Sequence, residues 1–107
     1  MELKQYAVVL VNLDPTMGSE IKKTRPCLII SPDEMNKYLR TLIIAPMTST
    51  SKPYPTRVKV KVGPQSSWVV IDQVRTIDKK RVIKTLGRIS KAEIDEVKGV
   101  IRETLVD

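Results

Sequence analysis

Residues 56–71 read TRVKVKVGPQSSWVVI, and the first seven of them decide the fold class. Val58, Val60 and Val62 alternate with Arg57, Lys59 and Lys61, the two-residue period of a strand with one apolar and one cationic face. Gly63-Pro64 turns the chain, and residues 68–71 (WVVI) form a second, apolar strand in which Trp68 is expected to be core. Asp72-Gln73-Val74-Arg75 is expected to continue it, inserting polar groups into an apolar setting.

The same reading extends in both directions. Residues 6–13 (YAVVLVNL) are rich in β-branched residues and stop at Asp14-Pro15. Residues 27–30 (CLII) stop at Ser31-Pro32, and Asp33 is expected to cap a short helical turn, DEMNKYL. Residues 42–45 form a further strand ended by Pro46, and residues 81–86 a last one closed by Gly87. Ser90-Lys91-Ala92-Glu93 is a capping box, with Ile89 and Ile94 placed for a hydrophobic staple. Ile94, Val97, Ile101 and Leu105 then make one apolar stripe of a C-terminal helix. The expectation is one domain over residues 1–107: mainly β (α+β), an SH3-like, partly open β-barrel with a short helix and a C-terminal helix.

Composition excludes several chemistries. With no histidine, Ser-His-Asp and Cys-His triads, histidine zinc sites and a histidine base are all impossible. The one cysteine, Cys27, allows no internal disulfide and fits a reducing, cytoplasmic setting. It lies in an apolar strand beside Pro26 and reads as core rather than nucleophile. No apolar run reaches the roughly 20 residues of a membrane span, and the first residues do not read as a signal peptide. Neither a metal nor an organic cofactor is expected.

Charge points to a polyanion. Nineteen Lys+Arg against twelve Asp+Glu give +7 and a pI near 9.7. Lys52, Arg57, Lys59 and Lys61 stand in a stretch with no acid, and residues 72–91 carry a second cationic excess. Lys52, Arg57, Lys59, Lys79 and Lys84 are candidate phosphate contacts. Gln73, Asn36 and the Ser/Thr loop that begins at Ser49 are candidates for reading base edges, with Tyr6, Tyr38 and Tyr54 as candidate stacking groups.

Two polar residues stand at strand mouths. Arg25 precedes the CLII strand with its backbone restricted by Pro26, and Thr48 follows LIIAPM. If those strands pair, a guanidinium and a hydroxyl meet at one rim of the barrel. Taken alone, Arg25 reads equally as an ion-pair partner of Glu20 or Asp14, and Thr48 as a turn hydroxyl.

GSEIKKTRPCLIIS, LIIAPMTS and VVIDQVRTIDKKRVIKTLGRIS, in this order and spacing, resemble the MazF/PemK family of toxins, as does the opening VVLVNLDPTMGSE. The resemblance covers nearly the whole chain. It implies an SH3-like homodimer that cuts single-stranded RNA at short motifs without a metal and is neutralised by an acidic antitoxin. By position, the family's catalytic arginine falls on Arg25 and its catalytic Thr/Ser on Thr48. Gly18, Ser19 and Glu20 match its mobile loop beside the RNA, and Gln73 matches the glutamine along its RNA groove. Many members carry a Gly-Asp or Gly-Glu pair before the first strand, where this chain has Gln5-Tyr6.

Arginine keeps its proton at any working pH, so it suits charge stabilisation, and Glu20 is the nearby group with a pKa fit for a base. Two rival readings use the same barrel. One is a non-catalytic nucleic-acid-binding module, which needs the cationic face but not Arg25 and Thr48 together. The other is a gyrase poison, an activity that resides in a C-terminal end usually carrying a bulky Trp; here the chain ends IRETLVD.

Overall fold

The alternation of Val58, Val60 and Val62 with Arg57, Lys59 and Lys61 folds as β4 (Arg57–Val62), paired antiparallel with β5 (Gln65–Val70) from Arg57–Val70 to Val62–Gln65. The computed structural model describes residues 2–13 and 24–106. They hold five further strands: β1 (Ala7–Asn12), β2 (Thr24–Ile29), β3 (Thr41–Thr48), β6 (Arg75–Asp78) and β7 (Val82–Arg88). Two α-helices, α1 (Asp33–Tyr38) and α2 (Lys91–Ile101), complete the set.

The sheet runs β4-β5-β3-β2-β1-β7, with β6 pairing only the first half of β3. It curls until its two ends nearly meet: a Cβ added to Gly87 of β7 would lie 3.1 Å from Val62 of β4. Gly87 takes φ 153°, which a side chain rarely adopts, so glycine serves this close approach inside β7 rather than closing the strand as expected. The barrel is mainly β and partly open, as the alternating strands imply.

Both faces of the central strands are buried. Val8, Leu28, Ala45 and Met47 point into the barrel with Val58, Val60, Val69 and Ile71, closed from below by Ile89 and Val97. Val9, Val11, Cys27, Ile29, Leu42 and Ile44 pack on the other side with Ile77. Val, Ile, Leu, Ala and Met, with Tyr6 and Cys27, fill both sides, which is how a chain without Phe still makes a core.

Helix α2 forms as its sequence demands. Ser90 Oγ accepts from Glu93 N, and Glu93 Oε1 accepts from Ser90 N at 2.8 Å. Val97 is buried and Ile94 and Ile101 pack against the core, but the stripe ends there: α2 stops at Ile101 and Leu105 is exposed.

Other expectations are corrected. Asp33 does not cap α1; its Oδ1 accepts from Gln5 N at 2.7 Å and pins the N-terminal segment, while Pro32 occupies the cap position. Residues 71–73 form a 3-10 turn instead of extending β5, and β6 follows as a separate strand. Pro46 does not end β3; with its neighbour Cys27 it forms the last pair of the β2–β3 ladder, and β3 continues to Thr48. Asn36 is buried, donating through Nδ2 to Ser31 O at 2.9 Å, so it is not available to a base. Tyr6 is also buried, in the barrel core, and takes φ 68°, a strained angle for a tyrosine.

Candidate functional site

The cleft at one end of the barrel opens where the ladder between β2 and β3 stops at a proline. β2 and β3 pair through Ile29–Ile44, Leu28–Ala45 and Cys27–Pro46, and no further pair forms. Ile30 N donates to Ile43 O, so residues 28 and 26 of β2 face β3 in turn, and Pro26 carries no N–H with which to extend the ladder. Arg25 and Thr48 lie two residues beyond that last pair on their two strands. Both line one cleft of about 530 Å3, within the range of small-molecule sites. Val8, Met47, Val62 and Leu86 make its apolar floor, and Ser49, Gln65, Ser66 and Ser67 its polar rim. Arg25 is exposed and Thr48 half-buried.

Thr48 is held by its own loop. Its Oγ1 donates to Thr50 O at 3.1 Å and accepts from Thr50 N at 3.3 Å, while its carbonyl accepts from Ser67 Oγ at 3.0 Å. The loop is fastened in turn by Arg57. Arg57 Nη1 donates to Ser51 Oγ at 2.7 Å, its guanidinium lies 5.0 Å from the Tyr54 ring centre, and Nε stands 3.5 Å from Asp72 Oδ1 without a hydrogen bond. Thr56 Oγ1 donates to the same Asp72 oxygen at 2.8 Å. Burial alone would raise the Asp72 carboxyl, but the Thr56 hydroxyl, its own backbone and Arg57 together hold it below the usual carboxylate range. Arg57, read from sequence as a phosphate contact, is here committed to the loop.

A second row of side chains crosses the outer face of the sheet. The ladders place Thr48 opposite Trp68 on β5, and Trp68 opposite Lys59 on β4. Directly opposed residues share a face. Met47, Val69 and Val58 form the matching inner row, in the barrel core. Trp68 is therefore not a core residue as expected: it is half-buried, belongs to neither core cluster, and has Lys59 Nζ 5.9 Å from its ring centre.

The remaining candidates scatter. Ser49 lines the cleft, Lys52 is exposed on the same loop, and Gln73 is exposed in the 3-10 turn after β5. Lys84 is exposed on β7 opposite Leu10, and Lys79 lines a different cavity with Lys4, Asp33 and Lys37. Neither these two lysines nor Gln73 lines the cleft. Gly18, Ser19 and Glu20 lie outside the described residues. Gln65, Ser66 and Ser67 were missed in sequence; a Gly-Pro turn followed by polar residues marks a hairpin but not which way it leans.

Burial pushes the Cys27 thiol up to about 12 against the opposing pull of Arg25 and Arg75, so it stays protonated and is no nucleophile. Among the described residues no group of three Cys, Asp or Glu is placed to hold a metal ion, and no helix is long and apolar enough to cross a membrane.

An arginine and a threonine thus share a cleft where a ladder ends, beside a cationic sheet face. Residues 4–105 fit the PemK-like, MazF-like toxins of type II toxin–antitoxin systems. The chain belongs to that family. This MazF-like chain is 34% identical over 105 residues to the endoribonuclease MazF of Staphylococcus epidermidis, a match covering 92% of this chain and 88% of the relative. Its fold is similar to that of a MazE–MazF crystal structure (Form-III) from Deinococcus radiodurans, with TM-score 0.84, 26% identity and 98% and 97% of the two chains covered. MazF alone from the same organism (Form-I) gives TM-score 0.81 at 27% identity, again over 98% and 97%. As a MazF-like toxin the chain is an endoribonuclease.

Proposed function

We propose that this toxin cuts single-stranded RNA at short sequence motifs, using the RNA's own 2′-hydroxyl as nucleophile. The observation that carries the reading is that Arg25 and Thr48 line one cleft, at the end where the β2–β3 ladder stops. The 2′-oxygen attacks the adjacent phosphorus and loses its proton. The P–O5′ bond breaks and the leaving oxygen gains a proton, giving a 2′,3′-cyclic phosphate, or after hydrolysis a 3′-phosphate, and a 5′-OH.

Arg25 offers a planar fork of donors to the oxygens of the pentacoordinate phosphorane. Its side chain is exposed at the rim, where a phosphate can reach it. Thr48 can donate to a phosphate oxygen or orient the attacking hydroxyl by exchanging its bond to Thr50 O for one to the substrate. Glu20 is assigned as base or loop anchor. Ser49, Lys52 and Lys59 hold RNA beside the cleft, with Gly18 and Ser19 of the preceding loop; Gln73, Lys79 and Lys84 would meet only RNA extending beyond it. The active form is a homodimer, and its natural inhibitor is an acidic antitoxin segment drawn to the +7 surface. Solved relatives include MazE–MazF complexes, which supports that partner.

The test is digestion of a long single-stranded RNA in EDTA. Wild type should leave mapped 5′-OH ends at one short motif, while Arg25→Ala should fall roughly 100- to 1,000-fold, the usual cost of one transition-state donor. DNA of the same sequence should bind uncut, because it lacks the nucleophile. Intact RNA under tight, salt-sensitive binding would replace this reading with a non-catalytic binding module. An acidic antitoxin peptide that fails to compete with RNA would remove the proposed inhibitor.

A further inference from the structure

Resting on the proposed RNA substrate, we infer that Trp68 and Lys59 form a nucleobase subsite one strand away from Thr48. An indole that lies outside both cores needs a reason to be there, since a tryptophan carries the largest apolar side chain of any residue. The register supplies one. Thr48, Trp68 and Lys59 stand in a single row across β3, β5 and β4, and Arg25 lines the same cleft as Thr48. With strands about 4.8 Å apart, the row spans roughly 10 Å, the length of one or two nucleotides. With Arg25 it offers a phosphate fork, a hydroxyl, a flat aromatic and an ammonium.

That sequence of groups suits an unstacked strand. Single-stranded RNA is bound by aromatic faces that stack its bases and by cations that follow its backbone. The Lys59 ammonium, 5.9 Å from the ring centre, now lies over the indole. Its contact with the half-buried ring is weaker than base stacking, so a base can displace it. The freed lysine then lies beside the next phosphate. A base on Trp68 is next to the nucleotide whose phosphate meets Arg25 and Thr48, so the indole fixes the register of cleavage and favours bases that stack well.

Trp68 is the chain's one tryptophan, which makes the test direct. The probe is an RNA oligonucleotide spanning the cleavage motif, with a 2′-deoxy sugar at the nucleophile so that it binds uncut. Its binding, followed independently by anisotropy of a 5′ dye, should quench the intrinsic tryptophan emission. A set of probes with one abasic position each should contain one that binds without quenching, and that position names the stacked base. Trp68→Leu should bind the probe roughly 5- to 100-fold more weakly. On cleavable RNA its kcat at saturation should hold while KM rises, and Trp68→Phe should restore most of the affinity. Probe binding that leaves the emission unchanged overturns the subsite, as does quenching that survives every abasic substitution. Wild type that neither binds nor cuts RNA would instead overturn the functional reading beneath it.

Discussion

Arg57 shows how a charged residue can be spent on shape. Its guanidinium reaches Ser51, Tyr54 and Asp72 at once, and Ser51 is the next residue after Thr50, whose backbone holds the Thr48 hydroxyl on both sides. Removing it frees the loop that aims that hydroxyl. A misplacement of about 1 Å at a reacting centre can cost on the order of 100-fold. Arg57→Ala is therefore expected to lower kcat roughly 10- to 100-fold with KM little changed, measured on a short oligonucleotide carrying one cleavage site. Were Arg57 a phosphate contact, KM would rise and the salt dependence of binding would flatten instead. Thr48 itself was legible as a strand-mouth hydroxyl, and so was its place on the same rim as Arg25, with which it lines one cleft. Trp68 was misread for a physical reason: WVVI looks equally apolar whichever way it faces, and only its partners Thr48 and Lys59 show that the indole points outward.

Elements set by local signals are the ones the sequence displayed plainly. The Ser90–Glu93 box, the alternation in β4 and the Gly63-Pro64 turn are each encoded within a few residues. β6 was not visible, because a four-residue strand is defined by its partner, here residues 41–44 of β3. The full length of β3 was hidden by Pro46, a residue that usually marks a strand's end and here stands inside one, paired with Cys27. Glu93 joins local and distant structure: one carboxylate oxygen accepts from Ser90 N and the other from Lys61 N at 2.7 Å, tying α2 to β4. Burial alone would raise its pKa, but those two N–H donors and the Ser90 hydroxyl outweigh it and hold the group below the usual range. A lowered folded-state pKa stabilises the fold at pH values above the unfolded value of about 4.3 and ceases to do so as pH falls through the folded value. Urea midpoints measured from pH 7 to pH 3 should therefore drop below about pH 4.5 in wild type. Glu93→Gln should start about 1 kcal/mol less stable at neutrality and show a shallower acid decline.

For the whole molecule, the +7 charge governs how RNA arrives more than where it is cut. Each phosphate neutralised on a single strand contributes a slope of about −0.7 in log K against log salt. Four or five contacts predict a slope near −3, measurable by titrating the uncut probe between 50 and 200 mM salt (about 3 by that rule). Charge reversal at Lys59 should lower that slope by about one contact's worth, whereas reversal at Lys79, in a separate cavity, should leave it unchanged for a short probe.

The unclosed seam between β4 and β7 carries a consequence for how copies of this protein behave at high concentration. A barrel that does not close leaves strand borders able to recruit foreign strands, the first step toward aggregates. At the β4 border the Lys61 amide is already taken by Glu93, and Lys59 and Lys61 put like charges along the approach. The cationic stripe that first marked β4 as a strand thus also keeps neighbouring molecules from joining it edge to edge, so its lysines serve solubility as well as any ligand.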